Sequence, residues 1–352
     1  MTRIAYRLIP RIGGGFHLGR EGLDQEASSE AFPSDSLFAA LIAAQVAREG
    51  PASVQGFLVS VPRLSSVFPC AGALLLFPMP RLRVTLSDDS RPGTAKTLKA
   101  LQYVSPTILA HLLAGDAMDT WLPQEGKATQ GVLLQDGRVW IARPEIERLP
   151  ADWHKREDDA LKATTIWKTQ RVPRVTVDRA NNSSQIYHVG RTTFAPGCGL
   201  WMLADLTDDG RAFDELMLYL ADSGLGGERS AGYGAFTVEP VNPPDLPPSR
   251  RASRVMTLSR YNPTEEELAG GVLGEGASYE LVDVGGWLAS PEGPAQRRKR
   301  VRMIEAGSIL AAPVPITGRI VNVRPEYDQP GAPAHPVYRS GIALTVGVSG
   351  GD

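Results

Sequence analysis

Five glycines fall within the eleven residues Gly224 to Gly234, GLGGERSAGYG, where the functional side chains are only Glu228, Arg229, Ser230 and Tyr233. A chain concentrates glycine in this way where the backbone itself is the working part. Consecutive glycines let amide N–H groups converge on an anion without obstruction, and Arg229 and Ser230 add a charge and a hydroxyl. The run is therefore expected to hold a phosphate. A helix C-cap with a following turn needs positive φ at one or two of these glycines and leaves the others unexplained.

The elements around this run set the fold class. At 352 residues the chain exceeds one domain of ~150 residues, so two domains or one domain with a large insertion are expected. Arg3 to Ile9 reads as a strand apolar on both sides, suited to a sheet's middle. Ser34 is placed as an N-cap before Leu37, Phe38, Leu41, Ile42 and Val46 at helical spacing, with Gly50 and Pro51 as the stop. Ala71 to Phe77 and Leu200 to Leu206 read as strands, with a helix from Arg211 (Phe213, Leu216, Met217, Leu220) and a last strand from Ala235 to Glu239. Strand, helix, strand, insertion, strand, helix, strand is a ferredoxin-like order.

The insertion, about 81–191, is expected to project from the body. It reads as a Leu-rich helix (Leu98, Leu101, Val104), a hairpin turned by Gln135-Asp136-Gly137, and a charged segment from Asp152 to Lys162. VNPPDLPPSRR from Val241 is a stiff, proline-rich linker. Beyond it, Val255 to Leu258 reads as a strand, and a short helix with a cap and a first-turn proline starts at Asn262-Pro263-Thr264. Strands follow near Tyr279 to Val284, Val301 to Ile304, Arg319 to Val323 and Ile342 to Val346, with no second helix evident and a frayed SGGD tail. The expected fold is α+β, with an N-terminal unit over 1–240, a linker over 241–253, and a second, degenerate ferredoxin-like (RRM-like) unit over 254–352.

Several function classes are excluded. Apolar residues at 42% and charged residues at 22% argue against wholesale disorder. No stretch approaches the ~18 apolar residues of a membrane span, and no charged-then-apolar leader opens the chain, so a cytoplasmic location is expected. Cys70 and Cys198 have no second thiol or histidine at a ligand spacing, and His17, His111, His154, His188 and His335 form no metal pair. Neither metal nor cofactor is expected. The Gly13 to Glu21 segment carries Arg20 and Glu21 where a phosphate loop needs lysine and a hydroxyl, and Gly224-Leu225-Gly226-Gly227 follows a helix where a dinucleotide fingerprint needs a strand. A net charge of −2, from 37 cations and 39 anions, makes any polyanion contact local.

Two local contacts suggest themselves. Arg171 to Arg191, RVPRVTVDRANNSSQIYHVGR, holds four arginines and one acid, Asp178. Alternation along it sets Arg174 and Thr176 on one face and Val175 and Val177 on a face expected to pack. An Asp178–Arg179 pair on a solvated hairpin is the competing structural explanation. The second contact is Arg297-Arg298-Lys299-Arg300 with Arg302, the densest positive charge in the chain, which is usually a solvated face. His17, beside a glycine loop, is the one candidate base for metal-independent RNA cleavage, although no second acid–base group is fixed near it by sequence. Ala231 to Val238 is similar to the aromatic strand of RNA-recognition modules, without its leading basic residue; Phe236 there equally suits a buried anchor.

These segments together resemble the Csm subunit four family of RAMP proteins in type III-A CRISPR effector complexes. The likeness is carried by FHLG (Phe16 to Gly19), SDSLFAAL (Ser34 to Leu41), VPRVTVDR (Val172 to Arg179), GLGGERSAGYGAF (Gly224 to Phe236) and YNPTEEEL (Tyr261 to Leu268). GWLAS (Gly286 to Ser290) and EAGSIL (Glu305 to Leu310) extend it. The resemblance implies a RAMP fold with a thumb insertion in the first unit and a non-catalytic RNA-binding subunit in antiviral defence. Its implied partners are the guide RNA (crRNA) through its 5′ handle, the large polymerase–cyclase subunit, the backbone RAMP subunit, and the target RNA duplex near the handle. On that reading Gly226, Gly227, Arg229 and Ser230 hold handle phosphates, Gly224, Gly232 and Gly234 belong to the same RNA-binding loop, and Tyr233 stacks on a base. Arg174, Thr176 and Arg179 support the guide, Ser34 and Ser36 add contacts at a helix N-terminus, and His17 lies beside the loop. The alternative is a guide-processing endoribonuclease of the same superfamily with His17 as base; the equivalent subunit of a related type III effector is a second rival.

Overall fold

The computed structural model describes residues 2–19, 27–87, 93–124, 129–177, 184–250, 252–290, 293–325 and 335–350. The chain opens with β1 (Thr2–Pro10) and α1 (Ser34–Glu49), then β2 (Phe68–Ala71) and β3 (Leu74–Leu75). The insertion contributes β4 (Phe77–Pro78), β5 (Tyr103–Val104), β6 (Gly131–Leu134) and β7 (Val139–Ala142), and a long hairpin follows from β8 (Trp167–Val177) and β9 (Ser184–Phe194). The chain returns as β10 (Cys198–Leu206), α2 (Arg211–Ser223) and β11 (Phe236–Val241).

The central sheet runs β11-β1-β10-β2-β3. Strand β1 lies between β11 and β10, antiparallel to both, with Ile4 opposite Ala204 and Leu8 opposite Val238. Both faces of this sheet are covered, which is why β1 and β10 read as nearly continuous apolar runs. Alternate residues of β10 enter separate cores. Leu200 and Met202 join Tyr6 and Leu8 under the apolar stripes of α1 (Leu37, Phe38, Leu41) and α2 (Phe213, Leu216, Met217). Trp201 and Leu203 face the other way, into a core that also holds Phe77, Val104, Trp140 and Ile141 of the insertion. The Trp201 ring meets Phe77 edge-on at 4.9 Å, and its Nε1–H donates to the Leu76 carbonyl at 2.8 Å, so the indole is buried without an unmet donor.

The insertion is therefore mostly packed, contrary to the projecting body expected. Its sheet, β4-β5-β7-β6, contributes wholly buried strands to the second core, and the Gln135-Asp136-Gly137 turn forms as anticipated. The Leu-rich helix is shorter than its pattern, ending at Ala100; Leu101 follows in extended conformation and Val104 is in β5. Apolar periodicity alone does not separate a buried strand from a helix. The helix Pro106–Ala114, capped by Ser105, was missed on the same ground. Ala71 to Phe77 is likewise broken, because Gly72 at φ +59° turns the chain between β2 and β3.

Among the described residues the β8–β9 hairpin is the long exposed element, and its alternation did not bury the valines. Val175 and Val177 are 57% and 58% exposed, and Ile186, directly opposite Val175, is 67% exposed. Asp178 and Arg179 lie outside the described residues.

The C-terminal half contains β12 (Arg254–Thr257), α3 (Glu265–Ala269), β13 (Leu281–Val284), β14 (Trp287–Ser290), β15 (Gly293–Arg297) and β16 (Val301–Ile304). It ends with β17 (Ile309–Ala311), β18 (Ile320–Asn322), β19 (Tyr338–Ser340) and β20 (Thr345–Val348). The β17-β12-β20 sheet sends Met256, Ile309 and Val346 into the second core, so the two halves share apolar packing across the linker. Thr264 caps α3 in a reciprocal box with Glu267, which places Pro263 before the cap rather than in the first turn. Burial pushes the Glu267 carboxyl up, but amides of Thr317, Thr264 and Gly318 and the Tyr261 hydroxyl together hold it below its ordinary value. The tail is anchored through Gly350: the amides of Ser349 and Gly350 both donate to the Leu113 carbonyl.

A buried charge cluster ties α1 to the second half. Asp35, in the first turn of α1 and fully buried, meets Arg260 Nη1 at 3.2 Å and Arg339 Nε at 3.7 Å. Arg260 also binds Glu305 at 2.8 Å. Removing one member of such a cluster strands buried charge, so Asp35→Ala is expected to lower unfolding free energy by about 3–5 kcal/mol, measured by urea denaturation; a loss below about 1 kcal/mol would contradict the arrangement.

Candidate nucleic-acid interface

The glycine run closes on the N-terminal segment 15–17, which is itself held against the root of the β8–β9 hairpin. Phe16 exchanges both backbone hydrogen bonds with Thr192 of β9, each at 2.8 Å. On the other side the Gly227 amide donates to the His17 carbonyl and the Gly234 amide to the Gly15 carbonyl, both at 2.9 Å. Loop, segment and hairpin root thus form one short stack of strands.

This contact explains most of the glycines. Gly224, Gly226, Gly232 and Gly234 all have positive φ, and a Cβ at Gly226 would lie 2.4 Å from the His17 carbonyl oxygen. At Gly227 a Cβ would lie 2.7 Å from His17 Cδ2, and at Gly234 2.4 Å from the Leu225 carbonyl oxygen. The amides are also spent within the protein: Gly224 donates to Leu220, Gly232 to Arg229 and Tyr233 to Glu228, besides the two donations to segment 15–17. Of the five glycine amides, those of Gly224, Gly227, Gly232 and Gly234 are given to protein acceptors, which leaves little of the expected convergence on an anion. These glycines act by conformation and close approach, which composition alone does not distinguish from an anion nest.

The tip of the loop offers side chains instead. Glu228 turns the chain at φ +56°, and the single 3-10 turn Arg229–Ala231 leaves Arg229 and Ser230 exposed. Tyr233 is buried, with the guanidinium carbons of Arg174 and Arg191 at 5.2 and 5.3 Å from its ring centroid. Its expected role as a stacking platform for a base gives way to one as a platform for two cations. The Arg174 pKa is raised, first by a hydrogen bond to Tyr233, so it stays cationic throughout any working pH range. Thr176 is exposed on the same hairpin face as Arg174. Sequence reading did not single out Arg191 in this role, because only the fold brings β9 over Tyr233.

His17 is half-buried and its Nδ1 is 2.8 Å from the Gly190 carbonyl, which only accepts, so Nδ1 carries the proton. Its ring edge lies against Gly227. Ser34 and Ser36 are elsewhere. Pro33 holds the N-cap position of α1; Ser34 is buried and its hydroxyl accepts from the Arg260 amide at 2.8 Å, while Ser36 donates to Asp35 at 3.5 Å. That helix N-terminus faces the second half of the protein and already holds an acid, so the anion contact expected there is corrected to an interdomain one. Among the described residues no group of three or more His, Cys, Asp or Glu is placed to hold a metal ion, and no helix is long and apolar enough to cross a membrane.

Residues 250–348 match the family model described as the CRISPR Csm4 C-terminal domain. Residues 250–348 thus carry the likeness to the Csm4 C-terminal domain, and similarity to curated Csm4 proteins extends over most of the chain. It is 28% identical over 302 residues to the CRISPR system Cms protein Csm4 of Mycobacterium tuberculosis strain H37Rv, covering 84% of this chain and 85% of that protein. It is 24% identical over 348 residues to the protein of the same description from Methanocaldococcus jannaschii, covering 91% and 89%. In fold it is similar to a chain in the crystal structure of a Csm3-Csm4 subcomplex of the type III-A CRISPR-Cas interference complex, with a TM-score of 0.64, 20% identity and coverage of 97% and 98%. It is also similar to a chain of the Csm1-Csm4 cassette in complex with pppApA, with a TM-score of 0.57, 19% identity and coverage of 99% and 98%.

The close approach at Gly226 has a measurable consequence. Gly226→Ala adds steric conflict with the His17 carbonyl to the cost of positive φ, whereas Gly232→Ala meets nothing within 4 Å and incurs the φ cost alone. Gly226→Ala is expected to be the more destabilising by about 1–3 kcal/mol in urea unfolding, and equal losses would contradict the loop's closure on segment 15–17.

Proposed function

We propose that this chain is a non-catalytic RNA-binding subunit of a type III-A CRISPR effector complex that holds the 5′ handle of the guide RNA. The observation that carries the reading is the exposed Arg229-Ser230 turn in the same loop as Tyr233, whose ring has Arg174 and Arg191 against it. Guanidinium groups held close together fork onto successive phosphates, the contact that positions a single strand independently of its bases. Arg229, Ser230, Arg174 and Thr176 form the contact in this reading, with Arg191 added. Gly224, Gly226, Gly227, Gly232 and Gly234 shape the loop, and Tyr233 orders the arginines. Arg179 belongs to the same assignment by sequence alone. Ser34 and Ser36 serve the clasp between the halves.

The strand order β11-β1-β10-β2 with α1 and α2 on one face supports a ferredoxin-like first unit over 1–240, and the β17-β12-β20 sheet with its single helix supports a degenerate second unit over 254–352. In this reading the thumb is the β8–β9 hairpin alone, reaching the target duplex near the handle with Val175, Val177 and Ile186. The Csm3-Csm4 and Csm1-Csm4 structures sharing this fold support docking on a backbone RAMP subunit and on the large polymerase–cyclase subunit.

The test uses the full chain and a guide RNA bearing its 5′ handle. Arg174→Ala with Arg229→Ala is expected to weaken binding at least tenfold and to reduce the slope of log affinity against log salt by about 1.4, two phosphates at ~0.7 each. Unchanged affinity and slope would overturn the assignment. His17→Ala separates the enzymatic alternative: loss of a cut in precursor repeat RNA that the parent protein makes would favour the endoribonuclease.

A further inference from the structure

The C-terminal half carries a second surface with the chemistry of a single-stranded nucleic-acid contact. Strands β13 and β16 pair antiparallel through Val284 and Val301, and β14 and β15 resume the pairing at Trp287 and Arg297, so together they make one long ribbon bent at Gly285 and Gly286. Gly286 has φ +124°, and the Arg298 amide donates to its carbonyl at 3.1 Å. At the bend the side chains of Arg300 and Arg298 lie against Gly285 and Gly286. Between Leu281 and Ile304 the sequence holds five cations against two acids, Asp283 and Glu292. Asp283 pairs with Arg302 at 3.0 Å.

Beside this charge stands an indole that the fold leaves outside. Trp287 is 56% exposed, whereas the other five tryptophans are buried or half-buried. Arg297, directly across the ribbon, places its guanidinium carbon 5.2 Å from the Trp287 ring centroid. The cation orders the ring and keeps a positive charge beside it. An exposed aromatic among arginines is what a splayed base and its flanking phosphates require, while an acidic protein surface would be met by the charges alone.

We propose that the bent ribbon binds single-stranded RNA, with Trp287 stacking on a base and Arg297 and Arg300 on neighbouring phosphates. This contact is separate from the loop and stands whether or not the loop holds the handle. The probe is a uridine decamer, unrelated to any handle, added to full-length protein carrying Arg174→Ala and Arg229→Ala so that the loop does not contribute. Binding is followed by anisotropy and by quenching of tryptophan fluorescence.

In that background the decamer is expected to quench the fluorescence. Trp287→Ala should then weaken binding about tenfold and abolish the quench, while Trp287→Phe should stay within about threefold because a ring remains. Arg297→Ala with Arg300→Ala should lower the salt slope by about 1.4. Unaltered decamer affinity in Trp287→Ala, with the far-ultraviolet circular dichroism of the parent, would overturn the proposal and leave the ribbon as a protein-facing surface.

Discussion

Four backbone hydrogen bonds around residues 15–17 hold the candidate interface together: the Phe16–Thr192 pair on one side, and Gly227 to His17 and Gly234 to Gly15 on the other. They join three segments that are remote in sequence, the N-terminal loop, the hairpin root and the turn after α2. The glycines follow from that requirement, because a Cβ at Gly226 would collide with the His17 backbone and one at Gly227 with the His17 ring. Arg174 and Arg191 meet Tyr233 of the loop through the same stack. The loop's charge then comes from side chains at its tip and across the hairpin, and most of its glycine amides bond within the protein.

A second constraint sets the body on which this stack rests. Strand β10 contributes to two cores at once, and the apolar surface of β1 and β10 removed from water at ~25 cal/mol per Å² drives both. One core is closed by α1 and α2, the other by the insertion and the C-terminal sheet. The charge cluster of Asp35, Arg260, Arg339 and Glu305 then fixes the orientation of α1 against the second half, where apolar contact alone permits sliding.

Much of this was legible in the sequence, where local chemistry and tertiary demand agree. The strands β1 and β10, the helices α1 and α2, the Gln135-Asp136-Gly137 turn and the short capped helix near Thr264 all form close to where residue pattern put them. The departures come where one pattern has two physical meanings. The apolar residues of the insertion fitted a projecting helix as well as a buried sheet, and only the second core decides between them. Ser34 and Ser36 fitted an anion site at a helix N-terminus, but Arg260 and Arg339 come from more than two hundred residues away and claim that end of α1. Val175 and Val177 fitted a packed face that the exposed hairpin does not supply. The arginine pair on Tyr233 was half visible, since Arg174 belongs to a recognisable motif while Arg191 gains meaning only from the fold.

The central claim is that the tip of the glycine loop and the neighbouring arginines of the hairpin touch the first nucleotides of the guide. Photocrosslinking the assembled effector complex with a guide carrying 4-thiouridine in its handle, followed by mass spectrometry of the peptides, tests this directly. The account predicts adducts within Arg229 to Tyr233 and on the hairpin beside Arg174 and Arg191. Adducts confined to other subunits, or to surfaces of this chain remote from Tyr233, would contradict it.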